Sequence, residues 1–202
     1  MPSICLNMIV KNERDVLARC LESVLSLIDT WVIVDTGSDD GTPQLITDWF
    51  AARGVPGQLH HEPWRDFGYN RTRALELARG RADYVLIMDA DDVLEAPADF
   101  TWPALDADAY RLRHRRGDVD YFVERLVRGD QPWRYRGVLH EYLVRHGEPR
   151  VANFSAQLTV SSRSEGWRSR HPDKYLRDAA LLEAALRDEP SNLRYLFYLA
   201  QS

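Results

Sequence analysis

The first half of the chain alternates short apolar runs with apolar residues at helical spacing. Ile4-Cys5-Leu6-Asn7-Met8-Ile9-Val10 is nearly unbroken apolar sequence and predicts a first strand buried on both faces. A polar turn, Lys11-Asn12-Glu13, follows, with Asn12 placed to cap the next helix. From Arg14 to Ile28 the apolar residues Val16, Leu17, Cys20, Leu21, Val24, Leu25 and Ile28 fall on one helical face. Trp31-Val32-Ile33-Val34-Asp35 is a second strand, and Thr36-Gly37-Ser38-Asp39-Asp40-Gly41 is a turn cluster. Thr42 as cap and Pro43 at the first helical position open a second helix, which runs to Arg53 and stops at Gly54. A weaker strand, Gln58 to Glu62, and a third helix, about Tyr69 to Arg79, lead to Tyr84-Val85-Leu86-Ile87-Met88, an apolar fourth strand. The order β-α-β-α-β-α-β predicts an α/β sandwich on a mostly parallel sheet, with right-handed connections.

The pattern changes after Asp92. Ala109 to Arg113 and Tyr121 to Val127 alternate like half-exposed strands, and Trp133 to Arg145 looks similar, so mixed or antiparallel strands are added to the parallel core. Ser161 to Arg170 is rich in Ser and Arg and reads as a mobile loop. From Pro172 the sequence is helical again, with Leu176, Ala179, Ala180, Leu182 and Leu186 in phase. Glu189-Pro190-Ser191-Asn192 interrupts it before an aromatic-rich helix from Leu193. The expected organisation is a domain over 1–165, divided into halves at 1–95 and 96–165, and a helical hairpin over 172–202 that resembles the start of a tetratricopeptide-type region. The last helix has no C-cap, which reads as a fragment of a longer chain.

Composition narrows the class. The chain has 202 residues, 45% hydrophobic and 28% charged, with a net charge of −5 and no dominant basic block, which argues against a nucleic-acid partner. Lys11 and Lys174 are the only lysines; the remaining cations are Arg, the better bidentate partner for phosphate. Cys5 and Cys20 lie in apolar patterns and lack metal-ligand spacing. No signal peptide or membrane-length apolar run is present, so a cytoplasmic protein, or one peripheral to the inner face of a membrane, is expected.

The chemistry concentrates in Asp89-Ala90-Asp91-Asp92, at the end of the fourth strand. Crowded carboxylates at a buried strand end repel and raise one another's pKa, and a divalent cation removes that penalty. Hard cations such as Mg²⁺ or Mn²⁺ take oxygen ligands and commonly share them with phosphates. The carboxyl ends of strands in an open α/β sheet are also where ligands bind. Taken alone, the cluster also fits a solvated acidic turn. With its flanking residues it further fits a haloacid-dehalogenase-like phosphatase, in which Asp89 would be the nucleophile and Asp91 an acid or base. That motif ordinarily ends the first core strand and needs a downstream Lys; here several βα units precede it and the only later Lys is Lys174. A non-catalytic domain that binds sugar nucleotides or scaffolds partners is a third alternative.

Asn12-Glu13, Val34-Asp35-Thr36-Gly37-Ser38-Asp39-Asp40-Gly41-Thr42, Arg71, and Met88-Asp89-Ala90-Asp91-Asp92 together resemble glycosyltransferase family 2. The segment Trp133 to Glu141 extends the likeness to the subgroup whose catalytic domain is followed by tetratricopeptide-like helices. The resemblance implies a GT-A fold: a Rossmann-like α/β/α, mostly parallel sheet with added mixed strands and a C-terminal helical segment. It implies that Asp35 holds the uracil ring, that Asn12 and Glu13 contact the nucleoside, and that Arg71 lies near the diphosphate. Asp89, with Ala90 beside it, belongs to the ribose or metal and Asp91 to the metal, with Asp92 on the acceptor side. Turn formation explains Asp35, and helix capping explains Asn12, as readily. Glu141 is the expected base for the acceptor, and His140 a third metal ligand or phosphate contact, although adjacent residues on a strand point to opposite faces. His171 could reach the metal from a closing loop.

The expected function is therefore a metal-dependent inverting glycosyltransferase using Mn²⁺ or Mg²⁺. It would move a hexose-type sugar from a nucleoside diphosphate sugar, most readily UDP-linked, to a glycan, lipid, peptide or small-molecule acceptor that the sequence does not name. Self-association through the C-terminal helices stays open.

Overall fold

The computed structural model describes residues 1–155 and 157–202. Strand β1 (Ile4–Val10) sits at the centre of a parallel group, between β2 (Thr30–Asp35) and β4 (Tyr84–Ile87), with β3 (Gly57–His61) outside β2. Its residues alternate between two packed faces. Ile4, Leu6 and Met8 join the core beneath α1 (Arg14–Val24) and α2 (Thr42–Ala51), and Cys5 joins Leu75 and Ala78 of α3 (Phe67–Ala78) on the other side. Burial on both faces is why the run is apolar without alternation. Asn7 is the polar exception. It is 2% exposed, and its Nδ2 donates to the carbonyls of Val32 and Ala74, tying β2 to α3 through the strand between them.

Beyond β4 the sheet turns antiparallel, through β7 (Val119–Arg128) and its hairpin partner β6 (Ala109–Arg116). β11 (Thr159–Ser162) runs parallel to β6, and β5 (Asp92–Glu95) closes that edge antiparallel to β11. β10 (Val151–Asn153) pairs with β6. β1 and β4 run parallel, but the strand order reverses between them, so the crevice at their carboxyl ends is the topological switch point, where open α/β sheets bind ligands.

Several elements differ from the expectation. The first helix ends at Val24 and continues as a 3-10 turn over Leu25–Leu27. Asn12 does not cap it: Asn12 has φ 56°, and its side chain instead exchanges two hydrogen bonds of 2.9 Å with Asp39. Thr42 is likewise the first residue of α2 rather than its cap. Gly41 precedes it with φ 90°, Asp40 accepts the Thr42 amide, and the Thr42 hydroxyl accepts the Glu13 amide. Both residues thus tie the turn after β1 to the turn after β2. Trp133 to Arg145 is a small separate hairpin, β8 (Arg134–Arg136) with β9 (Tyr142–Val144), because Gly137 and His140 take positive φ between them. The segment after β11 is not loose: it forms a short helix, α4 (Trp167–Arg170), and is anchored at its start.

The C-terminal helices α5 (Lys174–Asp188) and α6 (Leu193–Leu199) pack on the domain through Leu182 and Tyr195 against Leu139, Val138 and Phe67. Asn192 caps α6 by accepting the amides of Arg194 and Tyr195. Among the described residues no helix is long and apolar enough to cross a membrane.

The start of α3 lies directly on the segment that carries Glu141. A Cβ at Gly68 would overlap the Gly137 carbonyl oxygen, and the Phe67 amide donates to Val138 O at 3.1 Å. Gly68→Ala should therefore lower stability by about 1–3 kcal/mol through overpacking. Urea unfolding of the variant and the parent measures this, and an unchanged midpoint would show that α3 does not depend on that approach.

Candidate active site at the switch point

A cavity of about 760 Å³ opens over the ends of β1 and β4. Its lining brings together Ile9, Val10 and Thr36, then Lys11, Glu13, Arg71 and the Asp89–Asp92 cluster, and residues of α4 and α5. Each strand delivers its side chains by ending there, and α3 delivers Arg71 from its second turn.

The three acidic side chains of the cluster do different things. Asp89 is gripped by two guanidiniums, accepting from Arg71 Nη2 at 2.5 Å and from Arg125 Nη2 at 2.9 Å. Burial pushes its carboxyl up, but Arg71 and Arg125 outweigh that and hold it well below the usual carboxylate range. With both oxygens so engaged, Asp89 is badly placed to be a phosphatase nucleophile. Asp92 is 1% exposed and lies beneath the site, 3.4 Å from Arg125 Nη2 and 3.9 Å from His114 Nε2. Burial and the charge of Asp89 raise its pKa against the pull of Arg125. Asp91 meets no guanidinium within salt-bridge distance among the described residues; its Oδ2 accepts the Gly166 amide at 2.9 Å.

Glu13 faces the same closing segment. Its two oxygens accept the Trp167 amide at 3.2 and 3.1 Å, and a Cβ on Gly166 would lie 3.0–3.3 Å from the oxygens of Glu13 and Asp91. Burial lifts the Glu13 carboxyl to about 7; the Trp167 amide opposes the shift and the charge of Asp91 adds to it. Two carboxylates converging on amide dipoles, with one of them destabilised as an anion, are chemically suited to a hard divalent cation. Among the described residues no group of three or more His, Cys, Asp or Glu is arranged to hold a metal alone. A cation here would thus take Asp91 from the protein and complete its shell with phosphate and water, the ordinary mode for Mg²⁺.

Arg71 bridges to the next expected residue: its Nε donates to Glu141 Oε1 at 2.8 Å while Nη2 holds Asp89. Glu141 is placed by β8, which is pinned to α3 where the Tyr135 amide donates to Thr72 Oγ1 at 2.9 Å. His140 is not brought to the carboxylates. Its left-handed backbone, φ 51°, turns the ring onto Tyr198 of α6, with ring centroids 3.8 Å apart, and its carbonyl accepts from Arg194. The expectation of His140 as a metal ligand is not met by this arrangement; His171 is the histidine that lines the cavity, 3.0 Å from Arg177. Asp35 is 3% exposed and spends its carboxylate on the amides of Gly37 and Ser38, both at 3.1 Å, with His61 Nδ1 3.4 Å away. Asn12 is committed to Asp39, and Ala90 lines the cavity.

Arg125 and His114 are functional-looking residues that the sequence reading missed. Arg125 occupies a β-bulge, the extra residue where Tyr110 pairs with Leu126 but Arg111 with Glu124. Bulges re-aim a side chain, and this one sends Arg125 inward, 9% exposed, while leaving both Leu126 and Val127 in the core. An arginine in phase with Val123 and Val127 was the available signal.

The raised Glu13 carboxyl has a consequence for stability. The folded protein keeps this proton over a range where the unfolded chain has lost it, so the associated stability is complete below about 4.5 and is lost as pH rises through about 7. In metal-free urea denaturation across that window, Glu13→Gln should show a smaller decline than the parent. Parallel curves would mean that Glu13 is not destabilised as an anion.

The family model described as "Glycosyl transferase family 2" matches residues 5–98. A Synechococcus elongatus protein named "TPR repeat-containing protein Synpcc7942_0270" is 34% identical over 150 residues, which are 70% of this chain and 35% of the relative. The "SPbeta prophage-derived glycosyltransferase SunS" of Bacillus subtilis is 24% identical over 99% of this chain and 49% of its own length. The chain thus spans about a third to a half of these relatives. Among solved structures, S. aureus TarS 1-349 in complex with UDP-GlcNAc aligns with TM-score 0.56 at 13% identity, over 91% of this chain and 66% of that one. The mannosyltransferase PcManGT from Pyrobaculum calidifontis, in complex with GDP-Man and Mn²⁺, aligns with TM-score 0.55 at 15% identity, over 92% and 64%. These likenesses give the fold, a GT-A-type α/β sheet, and the family match spans the strand-end Asp35 turn, Arg71 and the whole acidic cluster: residues 5–98 of the chain belong to glycosyl transferase family 2.

Proposed function

We propose that this protein is a metal-dependent inverting glycosyltransferase that transfers a sugar from a nucleoside diphosphate sugar to an acceptor nucleophile. The observation that carries the reading is the division of labour in the cluster. Asp89 and Asp92 are bound to arginine, and Asp91 is left facing a cavity that also holds Lys11, Arg71 and Glu13 at the switch point. The donor's nucleoside would lie by Ile9, Val10 and Thr36 and its diphosphate above Asp91, with the sugar reaching toward Arg71. Neighbours in complex with UDP-GlcNAc and with GDP-Man support a nucleotide sugar, and the second also carries Mn²⁺. A UDP-linked donor is the reading for this chain, with Asp35 available to a base N–H if it gives up its turn bonds.

Mn²⁺ or Mg²⁺ bound at Asp91 would neutralise charge on the departing diphosphate. The chain's own residues do the rest. Arg71 fixes the position of Glu141, and Glu141 takes the proton of the acceptor hydroxyl as its oxygen attacks the anomeric carbon. The bond to the diphosphate breaks on the opposite side, which inverts the configuration. Lys11 and Arg71 add positive charge beside the leaving group. The acceptor is a glycan, lipid, peptide or small molecule entering past α5. A cytoplasmic site of action, at or near the inner face of a membrane, and a tetratricopeptide-like character for α5 and α6 belong to the same reading.

Two substitutions test it. Asp91→Ala should leave the fold intact and reduce Mn²⁺-dependent donor hydrolysis or transfer by about 100-fold or more, the loss expected when several kcal/mol of charge stabilisation go. Glu141→Gln should keep UDP binding in a thermal-shift assay while transfer drops by about 10²–10⁴-fold. Full turnover in Asp91→Ala would refute the metal role, and full turnover in Glu141→Gln would move the base elsewhere.

A further inference from the structure

His114 lies in the interior of the β6–β7 hairpin, 2% exposed, behind the acidic cluster and outside the lining of the cavity. Its Nε2 accepts the Arg125 Nε–H at 3.1 Å, and its ring packs near Tyr121, with centroids 5.4 Å apart. An imidazole that accepts at Nε2 carries its hydrogen on Nδ1. That Nδ1 has no hydrogen-bond partner among the described residues, so the tautomer is not chosen by a protein acceptor for the proton. It is the one that serves Arg125. Burial, and next the positive charge of Arg125, push the imidazole down to about 3, so it remains an acceptor throughout the working range.

The bulge turns Arg125 inward but does not set the plane of its guanidinium. With Nε fixed by His114, the guanidinium plane is set, and Nη2 falls 2.9 Å from Asp89 Oδ2 and 3.4 Å from Asp92 Oδ2. Both carboxylates still line the cavity, but each has an oxygen committed to Arg125. We propose that His114 is a positioning residue for the candidate cation–diphosphate seat. By accepting the Arg125 Nε–H it aims Arg125 at Asp89 and Asp92, and so leaves Asp91 as the carboxylate of the cluster offered to the ligand. The proposal rests on the sugar-nucleotide reading of the cavity and adds to it a buried partner that touches neither substrate nor metal.

Calorimetric titration of Mn²⁺ into the full chain saturated with UDP reads the seat without turnover. His114→Phe, which keeps a ring but no acceptor, should weaken Mn²⁺ binding by about tenfold or more, as loss of a ligand-orienting partner does. His114→Gln, whose Oε1 extends to where Nε2 lies, should restore it close to the parent value. Parent-like binding in His114→Phe, or equal loss in His114→Gln, overturns the proposal. If His114→Phe does not fold, Arg125→Lys probes the same link from its other end, because it replaces the planar fork that reaches His114 through Nε and Asp89 through Nη2 with a single nitrogen. Unchanged Mn²⁺ affinity in that variant overturns the proposal as well. Nitrogen-15 spectra of the ligand-free protein should place the His114 hydrogen on Nδ1 and show a shifted Nε2 resonance in Arg125→Lys; a hydrogen on Nε2 refutes it. A parent protein that binds neither UDP nor Mn²⁺ would count against the sugar-nucleotide reading instead, and the nitrogen spectra would still decide on His114.

Discussion

The carboxylate of Asp89 stands at the end of a strand whose other residues are fully enclosed, and it is kept ionised there by Arg71 on one oxygen and Arg125 on the other. Removing one partner from such a set leaves an uncompensated charge near the core, which is why sets of this kind are costly to break even when their net contribution is small. Here the set also has a geometric effect. Arg71 comes from α3 and Arg125 from the antiparallel half, so Asp89 is where the two halves of the sheet are fastened together on the ligand side. Through its second donor Arg71 fastens Glu141, and through its second and third Arg125 engages His114 and Asp92. The acidic cluster is therefore less a bowl of free carboxylates than a frame with one member, Asp91, left out of it.

The frame explains what sequence alone conveys and what it conceals. β1, β2 and β4 were legible because burial on both faces forces continuous apolar runs, and the Asp and Asn turns at their ends bring chemistry to one edge by topology. The acidic cluster was legible for the same reason: charged residues abutting a buried strand need an explanation. What each carboxylate does was not legible, because that depends on partners far along the chain. Arg125 is 36 residues from Asp89, and a one-residue bulge decides where its side chain goes. His140 and Glu141 show the same limit from the other side. They are adjacent, yet a left-handed backbone at His140 separates their destinations, sending one to α6 and the other to Arg71.

The segment from Ser161 to Arg170 offers the sequence only its composition as a signal, and composition points the wrong way. Polar, Ser- and Arg-rich sequence is ordinarily loose, but here two backbone amides find two carboxylates that are short of counter-charge. Side-chain identity in the loop carries little of that information. The exception is Gly166, whose missing Cβ allows the approach to Glu13 and Asp91.

The same segment is linked to the helices beyond it. Arg168 reaches Asp178 of α5 at 2.5 Å and covers the face of Phe67, and Arg177 of α5 returns to His171 and to the indole of Trp167. α6 in turn holds the backbone next to Glu141 through Arg194 and His140. A displacement of Gly166 from Asp91 would therefore act on more than the loop. It must either break the Arg168–Asp178 pair or drag α5 with it. The helical hairpin is thus part of the rim of the cavity rather than an appendage to it, since the contacts that hold the loop over Asp91 are the ones that hold α5.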